Sequence, residues 1–305
     1  MTTLTDRLRS WRRRLKASLP YVRRREHRVL QRKYADLIAA LDGNAPPASS
    51  AAWRWLQPVE GALEGEVCLF VAYTDQPRLK AHVADHVAFL AAAGIAVVLV
   101  VNTDLPADAL VIDAPLRART RGIATRANAG YDFGAWAHAL ELLAPTPRWT
   151  RLFLVNDSMV GPLDAGAFDR LLARIRAMTA DVVGLTEALL PRRHLQSYFI
   201  VFGPRALHGG SVGRLFARVR NWPAKLQVID VHETRLTALL EAEGLRTEAL
   251  FPSLSGDSLS SDDTALRWAE LVQRGLPYLK TRVVEAHGQD SRIARWLSTR
   301  PSPPP

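Results

Sequence analysis

The sequence predicts an α/β protein built on a mostly parallel central sheet. Two observations carry this. Apolar runs recur along the chain: EVCLFVAYT (66–74), IAVVLVVNTD (95–104), RLFLVN (151–156) and DVVGLT (181–186). Between them lie stretches with apolar residues at helical spacing. Strands that read as unbroken apolar runs belong to sheets covered on both faces, and their alternation with amphipathic helices gives parallel βαβ connections. A third observation bears on function. Tyr73-Thr74-Asp75, Asn102-Thr103-Asp104 and Asn156-Asp157-Ser158 all fall where strands should end. Open parallel sheets bind ligands at the carboxyl ends of their strands, so three polar ends are expected to line one crevice.

The elements follow in order. Residues 1–42 read as a basic helical arm. Twelve basic and two acidic residues between 1 and 33 account for the whole net charge of +10, and the rest of the chain is neutral on balance. Leu4, Leu8, Trp11, Leu15 and Leu19 recur among the arginines at roughly helical spacing. Such a helix suits an anionic membrane surface; the alternative is a solvated helix packed on the body. It lacks a nucleic-acid motif, so no nucleic-acid partner is expected. Residues 43–65, opening GNAPPASSAA, read as a linker.

The globular body is expected over 66–290. Leu79, Val83, Val87 and Leu90 mark a helix that Gly94 ends, and LVIDA (110–114) reads as a short third strand. RTRGIATRANAGYDFGAW (119–136) leads into a helix at about 133–143, and another is expected at about 166–178. LQSYFIVF (195–202) reads as a strand, ETRLTALLEAEG (233–244) as a helix, and TALRWAELVQRGLPYLK (264–280) as the last clear helix. Residues 291–305, closing on PSPPP, read as a tail.

With 305 residues and 48% hydrophobic content the chain can bury a sizeable core. A single cysteine, Cys68, excludes an internal disulfide framework and fits a reducing compartment. No run of about 18 apolar residues predicts a membrane span, and the basic N-terminus lacks the apolar core of a secretory signal. Walker A, GxSxG, HExxH and paired CxxC patterns are missing, which sets aside the common nucleotide hydrolases, serine esterases and zinc enzymes.

Four stretches could carry chemistry. Asp157 follows a buried strand, where a carboxylate needs a partner; a divalent metal on a phosphate would supply one, and an Asx turn is the rival reading. In ATRANAGYDFGAW (124–136), Gly130 and Gly134 allow close backbone approach, Asp132 could cap the next helix, and Arg126 could reach a diphosphate or face solvent. His194, Gln196 and Ser197 enter an apolar strand and could bond a hydroxylated ligand, or merely be strand-edge polarity. Glu233 heads a helix, where it either offsets the helix dipole or serves as a general base.

Six segments occur in one order: NAGYDFGAW, LFLVNDSMVGPL, DVVGLTE, HLQSYFIVF, HETRLTALLEAEG and SDDTALRWAELVQRGLPYLK. Together they resemble the rhamnan synthesis protein F family, bacterial glycosyltransferase-like proteins of surface-polysaccharide assembly, over roughly residues 66–286. The resemblance implies a single GT-A-like, Rossmann-like domain. It puts Asn156-Asp157-Ser158 at the place of the metal-holding acidic motif, with Asp157 as the ligand for a divalent metal (Mg²⁺ or Mn²⁺), although one acidic residue stands where Asp-x-Asp has two. It likens Arg126 and Asn128 to a donor-facing pair and Glu233 to the acceptor-side base, with Glu187 a second candidate.

On this reading Tyr73, Thr74 and Asp104 hold the nucleoside of a nucleotide-sugar donor. Arg126, Asn128, Gly130, Asp132 and Asn156 hold its ribose and diphosphate, and His194, Gln196 and Ser197 hold the acceptor. A sugar such as rhamnose would pass to a growing glycan or lipid-linked acceptor. The protein would then work in the cytoplasm, peripherally at the inner face of the membrane, with residues 1–33 on anionic lipid. The alternative is a non-catalytic glycan- or nucleotide-binding scaffold of a polysaccharide assembly complex.

Overall fold

The structure, a computed structural model, describes residues 45–254 and 262–298. The basic arm lies outside the described residues, and the body is the unit that starts at Pro46. Its centre is a sheet whose longest strands are β2 (Gly65–Tyr73), β3 (Ala96–Asn102) and β5 (Trp149–Asn156). β2 and β3 are buried nearly end to end, as their unbroken Val/Leu/Phe runs require. With β1 (Trp53–Gln57), β4 (Gly122–Arg126), β7 (Val182–Ala188), β9 (Phe199–Phe202) and β10 (Thr247–Phe251), the order across the sheet is β1-β4-β3-β2-β5-β9-β7-β10.

The β4-β3-β2-β5 block is parallel, as is the β7–β10 pair, whereas β1 and β9 run the other way. The sheet is therefore mixed but mostly parallel. The chain winds outward from β2 through β3 to β4, then returns to the other side of β2 as β5. The order reverses between β2 and β5, which makes their carboxyl ends the crevice of an open α/β sheet.

The sheet is covered by helices α1 (Ala81–Ala92), α2 (Tyr131–Leu143), α3 (Ala165–Ala177) and α4 (Thr234–Ala242). The main core packs Val83, Val87 and Leu90 of α1 and Phe168, Leu171 and Ile175 of α3 against Phe70, Leu99 and Phe153 of the sheet. α3 begins at an Asp164 cap that accepts from Ala167 N. α2 follows Gly130, whose φ of 71° turns the chain into the helix. Beyond the sheet a small ribbon pairs β6 (Met159–Val160) antiparallel with β11 (Leu279–Lys280). No helix among the described residues is long and apolar enough to cross a membrane.

Several elements differ from expectation. The stretch expected as a linker carries β1, which pairs with β4; its aromatic alternation, WRWLQ, outweighs the Gly/Pro/Ser composition just before it. LVIDA forms only an isolated bridge at Val111, because a one-turn helix (Ala107–Ala109) and Pro115 leave no room for a strand. β4 and β10 were hidden by polar neighbours. LQSYFIVF splits into β8 (His194–Leu195), which pairs with β7, and β9. The last expected helix breaks into Asp263–Leu266 and Trp268–Gln273; Gly275, at φ 96°, turns the chain and frees residues 279–280 for β11. Part of the expected tail, Ser291–Ser298, is helical and buries Ile293.

Candidate active site

The carboxyl end of β5 turns at Asn156-Asp157-Ser158. Asn156 is buried, and its Oδ1 accepts from Ser158 N (3.0 Å) and Ser158 Oγ (2.6 Å). The Asx turn is thus made by Asn156, which leaves the Asp157 carboxylate for other work. Asp157 reaches the β2 side of the crevice: its N–H donates to Val71 O, and its Oδ2 accepts from Tyr73 N at 3.4 Å and lies 3.8 Å from Lys80 Nζ. Burial raises the Asp157 carboxyl above its ordinary range; Lys80 and the Tyr73 N–H oppose this.

Asn156 Nδ2 donates to Asp132 Oδ2 at 2.6 Å. Asp132 therefore faces β5 from the first turn of α2, and Gly130 occupies the cap position. Burial, then the charge of Asp157, pushes the Asp132 carboxyl up to about 6, with Glu233 adding to the rise and the Asn156 hydrogen bond opposing it. The charges of Asp157 and Glu233 thus both reach Asp132.

Asp132, Asn156 and Ser158 form one wall of a cleft of about 420 Å³. The other walls bring in His194, Gln196 and Ser197 before β9, and Glu233. Glu233 closes a single π-helical turn, Ile229–Glu233, that runs into α4. Ser197 donates both its N–H (2.9 Å) and its hydroxyl (3.0 Å) to Glu233 Oε1. Among the described residues Oε2 has no hydrogen-bond partner. Glu233 is thus held through one oxygen, with the other open towards the cleft. His194 Nδ1 sits 2.8 Å from Arg192 O, to which it can donate, and Nε2 is the ring nitrogen not engaged by that contact. Gln196 Oε1 accepts from Thr186 Oγ1 at 2.7 Å.

Other expected residues have different tasks. Arg126 is buried and does not face the cleft. Its guanidinium donates to Ala127 O, Ala129 O (2.6 Å), Ala48 O (3.0 Å) and Asn221 Oδ1 (2.8 Å), and burial brings it down to about 10. Converging carbonyls at the end of β4 have drawn it inward, so the expected diphosphate contact is corrected to a structural one. Gly130 is corrected likewise: a Cβ there would lie 2.5 Å from Asn221 Oδ1, so its missing side chain makes room for Asn221. Glu187 is buried, with Oε2 accepting from Arg193 Nε at 2.7 Å and Oε1 from Ser253 N. Glu187 is thus occupied by protein partners and is not among the residues that line the cleft.

On the β2–β3 side, Tyr73 is exposed and Thr74 is buried with its hydroxyl bonded to Gln76 O. Asp104 Oδ1 accepts from Asn128 N at 3.3 Å, so these two residues, expected at different parts of the donor, meet. Sequence reasoning missed Lys225, Lys280, Arg282 and Asp262, all in the cleft wall. The Gly275 and Pro277 breaks were the signal that LKTR (279–282) leaves the helix.

The model of the family described as rhamnan synthesis protein F matches residues 97–299, two-thirds of the chain. The virulence protein VirA of Vibrio anguillarum is 23% identical over 212 residues, which span 59% of this chain and 67% of that protein. An uncharacterized protein, y4gN of Sinorhizobium fredii, is 28% identical over 134 residues, 42% of this chain and 34% of that protein. The family match starts within β3 and covers the acidic turn, the π-turn and the β6–β11 ribbon. With more than half its length matched, the chain belongs to the rhamnan synthesis protein F family, whose name ties it to polysaccharide synthesis.

Proposed function

We propose that the protein is a glycosyltransferase that moves a sugar from a nucleotide-sugar donor to a surface-polysaccharide glycan or its lipid-linked precursor. The observation that carries this reading is the meeting, in one cleft beside the strand-order reversal, of Asp132, Asn156 and Ser158 with Glu233, the Asp157 carboxylate lying close enough to act on Asp132. Tyr73, Asp104 and Asn128 lie on the β2–β3 side, where a nucleoside would rest. Glu233 takes the proton of the acceptor hydroxyl, the hydroxyl oxygen bonds to the sugar carbon, and the bond from that carbon to the diphosphate breaks. The nucleoside diphosphate leaves with the electron pair. His194 Nε2 and the Gln196 side chain would orient the acceptor.

The residues present fit a divalent cation. The charge of Asp157 acts on Asp132 at the edge of the cleft, and a cation beside Asp157 would relieve it. Asp157 would hold Mg²⁺ or Mn²⁺, which fills most of its shell with phosphate and water. When bound, the metal would neutralise charge on the departing diphosphate. The arm, residues 1–33, would keep the protein at the anionic inner face of the membrane.

The test is release of nucleoside diphosphate when the purified chain meets a panel of nucleotide sugars, nucleotide-activated rhamnose included, with a lipid-linked glycan acceptor. The wild type is expected to release it with sugar incorporation. Asp157→Ala should release none while keeping its circular dichroism spectrum. Full transfer by Asp157→Ala would refute the assignment.

A further inference from the structure

With Arg126 enclosed by backbone carbonyls, the diphosphate of the proposed donor lacks its expected cation. The structure offers others. Lys280 ends β11, which pairs with Met159 of β6, and Thr281 donates through N–H (2.9 Å) and Oγ1 (3.2 Å) to Ser158 O. The segment 279–282 is therefore pinned to the acidic turn. Lys280 Nζ lies 2.8 Å from Asp262 Oδ1, and Arg282 pairs with Asp262 Oδ2. Asp262 thus serves two cations, and Glu233 is the other carboxylate whose charge reaches Lys280. Lys280 is largely sheltered, its side chain 16% exposed, so its ammonium carries a desolvation cost that Asp262 and Glu233 offset only in part. Burial accordingly brings Lys280 down to about 8. Lys225 adds a third positive charge, close enough to act on both Asp132 and Lys280.

We infer that Lys280 and Arg282 form a diphosphate site, and that Asp262 is the counter-ion they exchange for the incoming ligand. The inference rests on the transferase reading and deepens it. A diphosphate presents several oxygens to a guanidinium fork and an ammonium, more than Asp262 can. Because Lys280 and Arg282 line the same cleft as Ser158, Asp132 and Glu233, the group they hold lies where the sugar would be cleaved. The same chemistry occurs in a nucleoside diphosphate and in a lipid diphosphate of an acceptor, and the experiment separates the two.

The experiment is calorimetric titration of the full chain with inorganic pyrophosphate in EDTA, followed by competition with uridine and thymidine diphosphates in one arm and farnesyl diphosphate in the other. Lys280→Gln and Arg282→Gln should each weaken pyrophosphate by about tenfold, the worth of one charge-assisted contact. Asp262→Asn should do the reverse and tighten it by about threefold, since it removes the competing carboxylate. A structural role for Asp262 would not produce tightening. Tighter competition by the nucleotides assigns the site to the donor, and by farnesyl diphosphate to the acceptor lipid. Unchanged affinity in both cation variants, or weakening in Asp262→Asn, overturns the site. Should Lys280→Gln fail to fold by circular dichroism, the exposed Arg282 decides alone. If pyrophosphate binds through these residues but no sugar is transferred, the transferase reading falls and the anion site stands. If sugar is transferred but the variants bind pyrophosphate as the wild type does, the anion site falls and the transferase reading stands.

Discussion

Arg126 Nη2 donates to Asn221 Oδ1 at 2.8 Å, joining buried side chains 95 residues apart. Asn221 in turn donates to Pro47 O (2.8 Å), so the entry of the body, the end of β4 and the segment before the π-turn meet at one buried node. The node positions the backbone that carries Asp132 but leaves the cleft to other residues.

Arg126→Ala should therefore destabilise the fold by about 3 kcal/mol, because it strands several buried carbonyls and Asn221. Urea denaturation measures this. A stable Arg126→Ala that merely lost donor affinity would return Arg126 to the ligand.

Gly134 tests the same node from the other side. A Cβ there would stand 2.6 Å from both Ala129 O and Asn221 Oδ1. Gly134→Ala is expected to cost about 2 kcal/mol, as overpacking does. A melting temperature equal to that of the wild type would show that the node is looser than described.

Much of the fold was legible because β2, β3 and β5 are continuous apolar runs, which only a sheet covered on both faces can bury. β4 was not, because Thr125 and Arg126 gave GIATR the look of a turn; Arg126 is buried only because carbonyls from distant segments converge on it. Of the candidate site, the sequence made only parts legible. Asp157 and Asp132 could be found from their place after a strand and before a helix. Lys280 and Asp262 reach the cleft through a ribbon between residues over a hundred positions apart, which local pattern cannot reveal.

Asp132→Asn should stabilise the ligand-free protein at neutral pH. The Asp132 carboxyl, up at about 6, binds its proton more readily in the folded than in the unfolded chain. Its contribution is present below about pH 4 and is lost as pH rises to about 6, so the charged form weakens the fold above that window. The gain in the variant at pH 7.5 should be on the order of 1 kcal/mol, and the wild-type decline between pH 4 and 6 should flatten. Asn156 can still donate to the new amide oxygen. Thermal melts across that range give the answer; a variant less stable than wild type at pH 7.5 would contradict the strain assigned to the carboxylate cluster.

Glu233, anchored by Ser197 through one oxygen, is the proposed base on which the transferase mechanism turns. Glu233→Gln isolates that role when sugar transfer and donor affinity are determined on the same preparation. Gln retains the size and the acceptor oxygen for Ser197 but lacks the basicity. Turnover should fall by about 10²–10⁴-fold with donor affinity nearly unchanged. Turnover close to wild type, or a loss of affinity that accounts for the whole loss of rate, would contradict the assignment of Glu233 as the base.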